Sequence, residues 1–235
     1  MAQPLVYLVP TVLHETAVET IPPYIIDAVK DSQVIFAENE RTARRFLKRM
    51  NREIIIDNYE WFAIHKTEEE MLQQFRQKIK EGKNISIISE AGCPGVADPG
   101  QALVAAAQEM NATLKPLVGP SSILLALMGS GMSGQQFAFL GYLPIDQAER
   151  AKAISAMELT SQKKNSTQIF IETPYRNDQL LETILKICKP STRLCIAAEL
   201  TSEHEFLKTK TIADWKKEKT GLHKKPVIFL LHAAR

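Results

Sequence analysis

Within the first 117 residues, short apolar runs alternate with helical patterns, and this alternation constrains the fold more than any other feature. Residues 5–9, 33–37, 53–56 and 85–88 are each four or five residues long and largely apolar. Runs of that length read as buried strands, and strands buried on both faces belong to parallel, helix-covered sheets. Helical patterns fill the gaps. One is weak, over 16–30, around Pro22 and Pro23, which suit a helix start. One is rich in arginine, over 40–50. A third, over 68–80, is amphipathic, with Met71, Leu72, Phe75 and Ile79 on one face. A helix over 101–110 and a strand over 113–117 continue the series.

The second half is less regular. Strand candidates at 137–140, 167–172, 193–199 and 227–231 cluster among helices at 123–129, 146–162 and 178–188. Clustered strands predict a mixed, partly antiparallel sheet. The expected fold is therefore α/β in two α/β lobes, with a mainly parallel N-terminal sheet and a mixed C-terminal one. The boundary falls near 117–120, giving lobes over 1–117 and 118–235.

A net charge of +2 neither demands nor excludes a polyanionic partner, so a nucleic-acid reading must rest on local patches. Three cysteines without a CxxC pair argue against a disulfide framework or a zinc site and fit a reducing cytosol. The start, Met1-Ala2-Gln3-Pro4, has no basic signal region. The longest apolar runs, 123–128 and 227–231, fall well short of the roughly 20 residues of a membrane span. The expectation is a cytoplasmic protein with no membrane segment and no metal.

Four segments carry candidate chemistry. Residues 89–100, Ser89-Glu90-Ala91-Gly92-Cys93-Pro94-Gly95-Val96-Ala97-Asp98-Pro99-Gly100, follow the fourth strand, where parallel sheets bind ligands. Their glycines let the backbone approach a ligand closely. Gly119-Pro120-Ser121-Ser122 opens a helix, where serines either cap or bind an anionic group. Arg41, Arg45 and Arg49 are spaced to share one helix face that could track phosphates or simply meet solvent. Glu172-Thr173-Pro174-Tyr175-Arg176 and Glu199-Leu200-Thr201 place carboxylates, a phenol and a guanidinium at strand ends. No GxGxxG or Walker pattern is present, and His14, His65, His204, His223 and His232 are scattered, which fits neither a nucleophilic hydrolase nor a helical metal motif.

Taken in order, these blocks resemble the tetrapyrrole methylase superfamily, and most nearly its ribosomal-RNA small-subunit methyltransferase I branch. The blocks are Tyr7-Leu8-Val9-Pro10-Thr11; Ala37-Glu38 with Arg41-Thr42; residues 89–100; Gly119-Pro120-Ser121 with Ser130-Gly131; Gly141-Tyr142-Leu143-Pro144; and residues 169–176 followed by Glu199-Leu200-Thr201 and His204-Glu205. The resemblance implies a dimeric enzyme holding S-adenosyl-L-methionine in the cleft between two lobes. The implied cofactor contacts are Leu13, Glu90, Cys93, Ser121, Ser122, Ile171, Ala198, Pro226 and Val227. It further implies ribosomal RNA or the 30S subunit as partner, with a cytidine 2′-hydroxyl of 16S rRNA as acceptor.

The chain departs from the family in its first loop, where Val12-Leu13-His14-Glu15-Thr16 lacks the glycines. It departs again after Leu143-Pro144, where a basic run is reduced to Arg150 and Lys152. A ribose hydroxyl is a weak nucleophile and calls for a base or an oriented acceptor. Glu172 or Glu199 is expected in that role, Arg176 with it, and Arg41, Arg45 and Tyr175 on the substrate. A small-molecule acceptor such as a tetrapyrrole, or a non-catalytic RNA-binding relative, are the alternative readings.

Overall fold

The computed structural model describes residues 3–64 and 68–233; Met1, Ala2 and His65 of the sequence reading lie outside it. The chain divides into two compact units, Met1–Ser121 and Ser122–Arg235.

The first unit holds one five-stranded sheet, in the order β3-β2-β4-β1-β5 with every pair parallel. The strands are β1 (Leu5–Val9), β2 (Val34–Ala37), β3 (Glu60–Ala63), β4 (Ile85–Ile88) and β5 (Thr113–Pro116). The helices are α1 (Ile25–Asp31), α2 (Glu40–Met50), α3 (Glu68–Lys80) and α4 (Gln101–Glu109). Alternation along each strand sorts the side chains. Val34, Phe36, Ile85 and Ile87 face α3 and α4, in a cluster with Met71, Phe75 and Leu103. Ile35, Ala37 and Ile88 face α1 and α2, in a cluster with Ile25, Phe46 and Leu47. β4 therefore lies between β2 and β1, and the connections leaving its two neighbours cover the face opposite to its own. The carboxyl end of β4 is a topological switch point, where open α/β sheets bind ligands.

The third strand is a correction. Residues 53–56 do not form it; they lead into a 3-10 turn at Ile56–Asn58, and β3 begins at Glu60. Ile54 is buried and Ile55 is 60% exposed, so this apolar run anchors a connection instead of filling both faces of a sheet. Trp61 Nε1 donates to the Ile56 carbonyl at 3.0 Å and ties the turn to the strand after it.

The second unit has the strand order β6-β7-β10-β8-β9. Its elements are α5 (Ser122–Ser130), β6 (Phe137–Tyr142), α6 (Gln147–Lys164), β7 (Thr167–Ile171), α7 (Asn177–Ile187), β8 (Arg193–Ala198), β9 (Phe206–Thr211), α8 (Ile212–Trp215) and β10 (Val227–His232). Only β6 and β7 are parallel; the other pairs are antiparallel. α6 and α7 seal one face through Ile154, Met157, Leu180 and Ile184 against Phe170, Ile196 and Phe229. The sequence reading contains neither β9 nor α8. β9 is a polar edge strand, with Lys208 and Lys210 in it, and edge strands gain from such charge.

Candidate functional site

In the first unit three loops meet around Gly92. Thr11, just past β1, pairs with Gly92 by two backbone hydrogen bonds of 2.9 and 3.2 Å. Its hydroxyl donates to the Ser89 carbonyl at 3.3 Å, and the Ser89 hydroxyl donates to the Gly92 carbonyl at 3.1 Å. A Cβ on Gly92 would stand 3.4 Å from the Leu13 side chain and 3.6 Å from the Pro120 carbonyl. One on Gly119 would stand 2.2 Å from Cβ of Pro10, so only glycine allows the loops after β1 and β5 to close on each other. Gly92 and Gly95 both have φ near +80°, and Ala97 is held at +60°. Positive φ on alanine is strain, of a kind that gathers at functional loops.

Asp98 pins this conformation. Its Oδ1 accepts from the amides of Gly95 and Gly100, both at 2.8 Å. Burial pushes the Asp98 carboxyl above its ordinary value, against the pull of those two amides. Glu90 is exposed, and its amide donates to Glu38 Oε2 at 2.9 Å. The Cys93 thiol donates to the Pro120 carbonyl at 3.4 Å, and burial, with Asp98 nearby, raises its pKa. A thiol held protonated packs and donates but is no nucleophile. Ser121 ends the first unit and Ser122 opens α5.

The second unit gathers its candidates where β7 and β8 end and β10 begins. Ala198 stands opposite Val227, and Ile171 opposite Ile228, so Ile171, Ala198 and Val227 lie on three adjacent strands. The Glu199 amide donates to the Pro226 carbonyl at 3.0 Å. Glu199 and Thr201 both adopt left-handed backbone, at φ 51° and 69°. The Glu199 carboxylate pairs with Lys225 at 2.7 Å. A cavity of about 440 Å³ opens here, walled by Ala198, Glu205, Phe206, Leu222 and Lys225.

Glu172 is deeper. Its side chain is fully buried, and Oε1 accepts from the Thr173 amide at 2.7 Å and from Arg176 Nε and Nη2 at 3.0 and 2.6 Å. Arg176 occupies the N-cap position of α7 with its side chain 31% exposed. Tyr175 is largely exposed and touches His223 edge to face.

On α2, Arg41 and Arg45 are exposed. Arg49 is committed elsewhere, donating to the Glu15 carbonyl and pairing with its carboxylate at 3.1 Å. The basic face thus also anchors the loop after β1. A cavity of about 690 Å³ lies beside α1 and Met50 and is lined by none of the predicted site residues. Sequence reasoning left Asp98, Glu38 and Lys225 out of the site. The carboxylate-to-amide and ion-pair contacts of the last two span about 50 and 26 positions of sequence, which no local pattern encodes. Asp98 was within the loop, and its Asp-Pro-Gly setting was the available signal.

The family described as tetrapyrrole (corrin/porphyrin) methylases matches residues 17–215. The chain belongs to this family. It is a methyltransferase, an activity that requires a methyl donor. Among curated relatives, a Vibrio cholerae protein named ribosomal RNA small subunit methyltransferase I is 28% identical, covering 99% of this chain and 78% of its own length. A protein of the same name from Bacillus subtilis is 29% identical over 89% and 68% of the two chains. The methyltransferase CobJ shares the fold, with a TM-score of 0.66 at 15% identity over 100% of this chain and 95% of its own. Diphthine synthase does so with a TM-score of 0.70 at 13% identity over 97% and 89%. Among the described residues no helix is long and apolar enough to cross a membrane, and no group of three or more His, Cys, Asp or Glu side chains could hold a metal ion.

Proposed function

We propose that this methyltransferase uses S-adenosyl-L-methionine and methylates a ribose 2′-hydroxyl of 16S ribosomal RNA in the 30S subunit. The observation that carries the reading is the set of relatives sharing one name across nearly the whole chain, joined to a glycine-built loop at the switch point of the parallel sheet. A homodimer working in the cytoplasm follows from the same reading.

The residues present fit the cofactor. The cavity beside Ala198 has the size to admit an adenosine group, between apolar Ala198, Phe206 and Leu222 and polar Glu205, Thr220 and Lys225. Ile171, Ala198, Pro226 and Val227, at the strand ends beside it, are the proposed contacts. Leu13, Glu90, Cys93, Ser121 and Ser122 are the proposed contacts to the methionine end, where a helix entry suits a carboxylate. When bound, S-adenosyl-L-methionine supplies an electrophilic methyl on sulfur. The protein's part is to align the acceptor oxygen and exclude water. Glu199, less buried than Glu172 and held in a strained backbone, is the better placed carboxylate to take the hydroxyl proton. Glu172 spends one oxygen on Arg176 and so fixes a guanidinium for a phosphate. Arg41, Arg45 and Tyr175 are the proposed outer contacts to RNA.

The test is to incubate the purified protein with methyl-labelled S-adenosyl-L-methionine and, separately, 30S subunits, naked rRNA and a small-molecule extract. Label in RNA is expected. Label in the small-molecule pool would replace RNA with a tetrapyrrole-like acceptor, and an absence of donor binding by calorimetry would leave a non-catalytic relative.

A further inference from the structure

Arg150, near the start of α6, is 1% exposed. Among the described residues its guanidinium makes one long hydrogen bond, from Nη1 to the Ile145 carbonyl at 3.5 Å, and its Nε has no partner. It forms no ion pair among the described residues. A buried guanidinium left uncompensated costs several kcal/mol, so some negative charge must answer it.

The topology says which. β6 runs parallel to β7 with Tyr142 opposite Ile171, so α6 begins at the end of the unit where β7 runs into Glu172. α7 starts at that same end, with Arg176 at its N-cap position and Asn177 next. Glu172 Oε2 and Asn177 Oδ1 are both buried there without hydrogen-bond partners. The end of the unit therefore gathers two guanidinia and the Glu172 carboxylate, with unspent polar atoms among them, beside the Glu199–Lys225 pair. The Glu172–Arg176 and Glu199–Lys225 pairs each sum to zero, and Arg150 is positive charge in excess of these two pairs. Of Glu172, Arg176 and Arg150, Arg176 is the most exposed.

We infer that Arg150 is a positioning residue for the acceptor: its buried charge offsets Glu172, so that the fixed Arg176 presents net positive charge to a phosphate of the RNA. The inference rests on the RNA reading above.

The experiment is binding of a 16S rRNA transcript by filter retention over roughly 50 to 300 mM salt, for wild type, R150M, R150K, R176A and R150M/R176A. Thermal unfolding is followed in parallel. R150M is expected to weaken binding about tenfold and to reduce the slope of log affinity against log salt by about one, as R176A does. R150K is expected to keep the wild-type slope. The double variant is expected to bind no worse than R176A alone. A wild-type slope in R150M, with only the melting temperature lowered, would overturn the inference, as would full additivity in the double variant. Should R150M not fold, R150K decides: a slope reduced by about one despite the retained charge contradicts the account. Failure of wild type to bind RNA at all would strike the RNA reading itself, a separate and recognisable outcome.

Discussion

At the carboxyl end of β4, residues 89–100 hold their shape with backbone: two glycines at positive φ, a two-bond bridge between Thr11 and Gly92, and Asp98 accepting from two amides. At the carboxyl end of β7, the corner holds its shape with charge: buried Glu172 paired to the partly exposed Arg176, with buried Arg150 placed at the same end. Both close a strand end, but different things can go wrong in each. The β4 loop fails when an atom is added, because its segments already touch. The β7 corner fails when a charge is removed, because its partner is left buried. That contrast suits the proposed transferase, in which the first region cradles the methionine end of the donor by shape and the second holds a charged acceptor by electrostatics.

The comparison breaks most readily at Glu172. E172A leaves Arg176 without its fork and is expected to cost about 3 kcal/mol in urea denaturation, as for breaking a largely buried pair. The KM for 30S subunits should rise while donor affinity measured by calorimetry stays near wild type. Next is G119A, whose Cβ would meet the Pro10 ring on a rigid turn. A loss of about 2 kcal/mol is expected from overpacking. Here the donor affinity should fall and the 30S KM should hold, the reverse of E172A. G129A is the control. Its Cβ would meet the methyls of Leu207, the end of a flexible side chain, and its cost should be smaller in the same denaturation series. If E172A and G119A lower donor and acceptor binding alike, the two regions are not separable.

Smaller still is D98A, which removes the acceptor for two amides and should cost about 1–2 kcal/mol with a loosened loop. Hydrogen exchange at Gly95 and Gly100 would report it.

The smallest effect is in pH. Burial and Arg193 lower the pKa of His232 in the second unit, so its contribution to stability is present above the ordinary value of 6.5 and is lost as pH falls through the folded value. Burial raises Asp98 in the first unit, so its contribution is present below the ordinary 3.8 and is lost as pH rises through the folded value. Acidification below 6.5 should therefore weaken the second unit alone in this respect, and H232Q should flatten that dependence. A pH profile of hydrogen exchange, resolved by unit, checks it.

Legibility in the sequence followed the same division. The parallel sheet was readable because strands buried on both faces are apolar along their length, as in β1, β2 and β4. It misled once, at 53–56, because three isoleucines look alike whether they fill a sheet or pin a connection. The polar edge strand β9 was invisible for the converse reason. Family resemblance and loop composition brought out the shape-built loop, since glycine and proline announce backbone demands locally. The charge-built corner was only half legible. Glu172 and Arg176 are four residues apart and could be guessed as a pair, whereas Arg150 stood out only as a remnant of a basic run, and its burial depends on how α6 packs.

Where the methyl group goes decides whether this protein is a ribose methyltransferase. Wild-type protein is incubated with labelled S-adenosyl-L-methionine and 30S subunits, the 16S rRNA is digested to nucleosides, and the labelled product is identified by mass spectrometry. The expected result is label in a ribose-methylated nucleoside, 2′-O-methylcytidine. Label on a base, or no label in 16S rRNA while a small-molecule pool is methylated, would contradict it.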